Sequence, residues 1–196
     1  AMQWSLVGSE MCIRDSVRKS MVFLLPTSFA EALVIAVAIL IGVELPMTPI
    51  QILWVNMITA VTLGIALAFE GSEGDVMARN PRATRAPILP AETVWRTAFV
   101  GVLMLLGVTA LYVLERASGA SIEYARTVGV NTLVVFEAVY LMSSRRLTLP
   151  ALVPLGSAGN RAVLVCIATV LLFQVAFVYT PPLQAIFNSV PTSLES

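Results

Sequence analysis

Five long apolar runs set the terms on which this chain can fold, at approximately residues 21–41, 50–69, 95–114, 126–144 and 161–180. Each is close to the roughly 20 residues an α-helix needs to cross the hydrocarbon of a bilayer. In lipid the backbone must satisfy its own hydrogen bonds, which these segments do as helices. The fold class expected is therefore an all-α membrane protein, a bundle of about five transmembrane helices. Composition agrees: 58% of residues are hydrophobic and only 12% charged, with a mean hydropathy of +0.87, well outside the soluble range. Zero net charge and the absence of histidine argue against a nucleic-acid surface, a histidine proton relay or an ordinary zinc site. Cys12 and Cys166 lie far apart and imply neither a disulfide framework nor a metal cluster.

The runs are not alike. The third and fifth are plain, whereas the first, second and fourth carry polar groups: Pro26, Ser28 and Glu31; Asn56, Thr59 and Thr62; Asn131 and Glu137. Three helices around a site and two supporting them is the arrangement this implies. Arg14, Arg18 and Lys19 precede the first run, Arg79, Arg82, Arg85 and Arg96 lie around the second loop, and Arg145, Arg146 and Arg161 flank the last. Because cytoplasmic loops collect Lys and Arg, the N-terminus is expected in the cytoplasm and the C-terminus outside. The short hairpin 42–49 is then external, and its Pro46 and Pro49 stop the helix, making the first two spans antiparallel neighbours. Residues 4–16 (WSLVGSEMCIRDS) are too polar to span and resemble translated adaptor sequence. Residues 1–16 are accordingly set aside as a non-native or disordered leader, 17–182 as the membrane domain and 183–196 as an external tail. An odd number of spans ending in a short polar tail reads as a chain truncated at both ends.

Glu31 is the most informative residue. A charge in hydrocarbon costs on the order of a few kcal/mol and is kept where something offsets it. Ser28 and Glu31 are three residues apart, as are Asn56 and Thr59, so each pair is expected to share a helical face. Pro26 has no N–H for the carbonyl of Val22, which would leave backbone oxygen free nearby and make Pro26 a hinge. Carboxylate, amide, hydroxyl and carbonyl are hard oxygen ligands suited to a small, hard cation. Plainer readings stay open: Asn56 and Thr59 as interhelical hydrogen-bonding residues, Glu31 as a protonated structural acid, and Glu137 as a residue reached by water or paired with Arg145. Asn131 is expected on a different face from Glu137, and Gln174 to serve packing.

Here the residues carry a resemblance. LPMTPIQILWVNMITAVTLGIALAFE (45–70), followed by EGDVMARNPR (73–82), resembles the sixth membrane helix and following cytoplasmic loop of P-type cation-transporting ATPases of the calcium-pump and sodium-pump class. VRKSMVFLLPTSFAE (17–31) is similar to the end of that family's stalk and its fifth helix, and the last three spans fit helices seven to nine. The resemblance implies a tenth helix that this chain lacks. It implies that Glu31, Asn56, Thr59 and Glu137 hold a transported cation, with Ser28 standing where the family has an asparagine ligand. Ala60 replaces the family's aspartate, which implies fewer ions or lower charge per cycle.

The same resemblance implies a parent protein that binds ATP and Mg and phosphorylates an aspartate in a DKTG sequence, in cytoplasmic domains absent here. Neither Asp15 nor Asp75 has that setting, so the chain alone should be inactive as an enzyme. Implied partners are the lipid bilayer, the missing cytoplasmic domains and the remaining helices of the same pump, with no nucleic acid. The loop 70–94 would help connect the helices to the phosphorylation domain, or simply set topology. The implied location is a bacterial plasma membrane. Two rival classes remain at this stage: a secondary transporter or channel, though no internal repeat is evident, and a membrane scaffold without transport.

Overall fold

The computed structural model describes residues 2–68, 91–144 and 158–192, with side chains over 21–61, 91–141, 143 and 164–192. Thr62, Arg145 and most of the loop 70–94, with the coupling role expected of it, lie outside the described side chains or residues. Six helices follow in order: α1 (Met2–Ile41), α2 (Pro49–Ala68), α3 (Ala91–Ala117), α4 (Ile122–Ser144), α5 (Ala158–Tyr179) and α6 (Pro181–Phe187). There is no strand among the described residues. The first five coincide with the five apolar runs.

Helix ends have local causes. α1 stops where Gly42 takes φ +74°, with Val43 N donating to Ala38 O at 3.0 Å and Gly42 N to Ile39 O at 3.2 Å. This closes the last carbonyls in a Schellman arrangement. α3 ends the same way at Gly119, φ +88°, with Ala120 N bonded to Glu115 O at 3.1 Å. α2 begins with a capping box: Thr48 N donates to Gln51 Oε1 at 3.0 Å, and Gln51 N to Thr48 Oγ1 at 3.4 Å. Pro49 fills the first helical position, where a missing N–H does no harm. Ser121 caps α4 through Tyr124 N at 3.2 Å. All four of these ends gather at one end of the bundle, the hairpin end.

At that end the polypeptide is tied down by two arginines, Arg116 and Arg126. Arg126 Nε donates to Leu45 O at 3.0 Å, and Arg116 approaches Glu44 at 3.8 Å. Met47 is fully buried beneath the hairpin.

α1 packs chiefly on α3, α3 on α4, and α2 on α5, while α1, α2 and α4 also touch one another. The core runs through Phe23, Val34, Val55, Met104, Leu133 and Phe177. Two glycines of α3 allow its close approach: a Cβ at Gly101 would meet Phe29 Cδ1 of α1 at 2.6 Å, and one at Gly107 would collide with the Phe136 ring of α4. Small residues at helix crossings are a general device of membrane bundles. Large apolar side chains point outward along the bundle, among them Leu40, Trp95, Leu106 and Leu172, as expected of a surface that meets lipid rather than water. Met21–Ile41 and Ala91–Ala117 are each long and apolar enough to cross a membrane.

Three expectations need adjustment. Residues 2–16, set aside as a leader, continue α1 as helix; the segment carries no proline to interrupt it. The break expected at Pro26 is a lesion in the hydrogen-bond ladder and not an end of the helix, which runs through it. The stretch after α5, read as a tail, instead folds back. α6 is bent 81° from Leu164–Tyr179, and Phe187 enters an aromatic cluster with Trp54 and Phe177, ring centroids 4.9 Å and 5.4 Å away. Ser189 Oγ then donates to Phe177 O at 2.8 Å, and Val190 N to Thr127 Oγ1 at 3.1 Å. Burial of that ring outweighs the polar character of the segment around it.

Candidate cation site

Glu31 lies on α1 five residues beyond Pro26 and is 5% exposed. α1 and α2 run antiparallel from the hairpin, which brings Asn56 opposite it. Asn56 Nδ2 donates to Glu31 Oε2 at 2.5 Å and also to Ile52 O, one turn earlier on its own helix, at 3.2 Å. This double engagement fixes the amide with its nitrogen toward the acid. Thr59, one turn farther along α2, is 4% exposed; its hydroxyl donates to Val55 O, so its lone pairs remain for other partners.

α4 supplies the third wall. Glu137 is 2% exposed, and its carboxylate interacts with both Glu31 and the Thr59 hydroxyl. Glu31 Oε1 and Glu137 Oε2 are buried without hydrogen-bond partners. Two acids close together in a dry interior, each with an oxygen unsatisfied, carry a cost that protonation or a bound cation would offset. The described residues contain no cluster of three or more acids, cysteines or histidines arranged for a metal. The donor set is instead two acids supplemented by amide and hydroxyl oxygen, hard ligands throughout.

Of the residues singled out from sequence, Glu31, Asn56, Thr59 and Glu137 come together. Ser28 does not: it is exposed on α1, while the adjacent Thr27 is buried and donates to Leu24 O at 3.1 Å. Three-residue spacing permits a shared face, but 100° per residue leaves a wide arc, and Glu31 takes its inner edge. Pro26 is buried, and the carbonyl it frees already accepts a hydrogen bond, from Tyr140 Oη at 2.9 Å. Asn131 is separate from the acids and accepts from Gln174 Nε2 at 2.7 Å, a link between α4 and α5 of the packing kind expected.

Sequence reading missed Tyr140 and Gln51. Tyr140 is three residues past Glu137, on the same face, and that spacing was the available signal. Gln51 was visible as the fourth residue of Thr-Pro-Ile-Gln; beyond capping α2, its Nε2 donates to Phe187 O at 3.1 Å. A cavity of about 210 Å³ lies between α1, α3 and the hairpin, lined mostly by apolar groups such as Val34, Ala38 and Val113. None of the four converging residues lines it.

Comparison with known proteins bears on this arrangement. Residues 44–196 match the family model described as "Cation transporting ATPase, C-terminus". The chain is 39% identical over 180 residues to the "Probable cation-transporting ATPase F" of Mycobacterium tuberculosis (strain H37Rv), an alignment covering 92% of this chain and 20% of the relative. It is 30% identical over 179 residues to the "Calcium-transporting ATPase" of Bacillus subtilis (strain 168), covering 91% of this chain and 20% of the relative. A "Calcium-transporting ATPase 1" of Yarrowia lipolytica is 28% identical over 183 residues, covering 93% and 20%. The chain thus spans about a fifth of the length of these relatives.

Proposed function

The chain belongs to the cation-transporting ATPase family, whose C-terminal membrane region it represents, and from that premise we propose that Glu31, Asn56, Thr59 and Glu137 hold the transported cation between α1, α2 and α4. The observation that carries this reading is the Asn56–Glu31 contact across two helices at 2.5 Å, beside two buried carboxylate oxygens that lack partners. A small cation seated there would take oxygen ligands from three helices at once. Its entry would replace the missing hydrogen bonds with coordination.

In the whole pump, ATP and Mg would act in cytoplasmic domains outside this chain, and phosphorylation there would shift the helices and open the site alternately to each side. Pro26 weakens α1 one and a half turns before Glu31 and is the natural place for that flexing. Ser28 faces away from the four ligands and would contribute only through helices of the parent pump that pack on that face. The N-terminus and basic loops would be cytoplasmic and the hairpin end external. Ala60, where an acid would add charge, favours fewer ions per cycle.

The test is ATP hydrolysis by the full-length pump, scanned across Ca²⁺, Mn²⁺, Na⁺ and K⁺. One cation should stimulate the wild-type protein, and Glu31→Gln should abolish that stimulation, since a neutral amide leaves the ion under-coordinated in low dielectric. Normal stimulation in Glu31→Gln refutes the assignment.

A further inference from the structure

Tyr140 makes a contact that the cation site itself does not require. Its hydroxyl donates to Val22 O at 2.9 Å, across from α4 to α1. That carbonyl lacks an intrahelical partner for a covalent reason: the residue four positions on is Pro26, which has no N–H. Val22 is 3% exposed, so without Tyr140 its oxygen would be buried and unsatisfied. The Tyr140 ring stacks on Phe23 with centroids 5.8 Å apart, and the Arg96 guanidinium of α3 lies 5.4 Å from the ring centre. Two helices, α1 and α3, thus hold one side chain of a third.

α1 and α4 run in opposite directions, so moving from Glu137 to Tyr140 on α4 corresponds to moving from Glu31 toward Val22 on α1. The Val22–Tyr140 hydrogen bond joins the two helices three residues from Glu137 on α4. A helix tied at that point is less free to rotate about its axis, so the tie bears on where Glu137 points. We propose that Tyr140 is a positioning residue for the cation site, clasping the carbonyl that Pro26 releases and so fixing the rotation of α4 that presents Glu137 to Glu31. The role rests on the reading of Glu31, Asn56, Thr59 and Glu137 as the cation ligands. It joins two features with no adjacency in sequence: a proline that opens the ladder of one helix and a tyrosine on another that closes it.

The experiment is a double-mutant cycle in the full-length pump, using whichever of Ca²⁺, Mn²⁺, Na⁺ and K⁺ stimulates wild-type ATP hydrolysis. Tyr140→Phe keeps the ring and its stacking and removes only the hydroxyl. It should weaken apparent cation affinity about tenfold while leaving the maximal rate at saturating cation within about twofold. Pro26→Ala returns an N–H to α1, so Val22 O regains its intrahelical bond and the hydroxyl becomes dispensable. In that background Tyr140→Phe should change affinity by less than about twofold.

An equal affinity loss in both backgrounds, or none in either, overturns the proposal, as does a fall in maximal rate with unchanged affinity. Should Pro26→Ala fail to fold, or lose stimulated activity because α1 no longer flexes there, Tyr140→Phe alone decides: wild-type affinity refutes the clasp, and a selective affinity loss supports it. Glu31→Gln run alongside separates the two readings. Stimulation surviving in Glu31→Gln removes the cation site itself, whereas its loss there with wild-type affinity in Tyr140→Phe removes only the positioning role.

Discussion

Asn56 Nδ2 lies 2.5 Å from Glu31 Oε2, and through that contact an amide on α2 stabilises a buried acid on α1. Asn56 is itself held by Ile52 O at 3.2 Å, so it is preset before any ion arrives. Preorganised ligands lose less freedom on binding, which favours affinity.

Replacing Asn56 by alanine leaves Glu31 with both oxygens unpartnered. The cation-free full-length protein should lose about 1–3 kcal/mol of stability, read as a lowered unfolding midpoint in detergent. A saturating concentration of the stimulating cation should restore part of the difference, because ligand binding to the native state adds stability. An unchanged midpoint would show that the contact contributes nothing.

Glu137→Gln should be milder than Glu31→Gln. The Gln side chain keeps the shape and can still pair with Thr59, while one negative charge of two is removed. Apparent cation affinity should fall about tenfold, with maximal ATP hydrolysis retained. If cation titrations of the variant overlay the wild type, Glu137 is scaffolding.

Gln51→Ala removes two contacts together, the Thr48 N–Gln51 Oε1 half of the capping box and the tether to Phe187 O, while the bond from the Gln51 backbone N to Thr48 Oγ1 stays. Loss of these two side-chain hydrogen bonds is expected to destabilise by about 1–2 kcal/mol, with faster proteolysis after α5 as α6 detaches. Cation affinity should stay close to wild type, since Gln51 touches none of the four converging residues. Protease resistance equal to wild type would argue that the aromatic cluster alone holds α6.

Much of the site was legible because its signals are local. Glu31 and Glu137 stand out as acids in apolar runs, and Asn56 and Thr59 by their spacing in a second run. Ser28 was misplaced because three-residue spacing defines an arc of the helix surface and not a direction; the inward position belongs to Thr27. Tyr140 was passed over because a tyrosine near the end of a membrane helix is ordinary, and its partner is a backbone atom 118 residues away. α6 was hidden by the polar residues around Phe187, whose burial depends on Trp54 and Phe177 being in place already.

The amino-acid order by itself determined that five stretches form membrane-length helices, where the first two turn, and which acids are buried, because length, hydropathy, proline and glycine act along the chain with little help from elsewhere. Only the tertiary structure decided which face of each helix turns inward, that the carbonyl freed by Pro26 is engaged by Tyr140, and that Phe187 of α6 folds back on α2. Rotation about a helix axis is nearly free until another helix packs against it, so these outcomes depend on contacts between residues far apart in sequence.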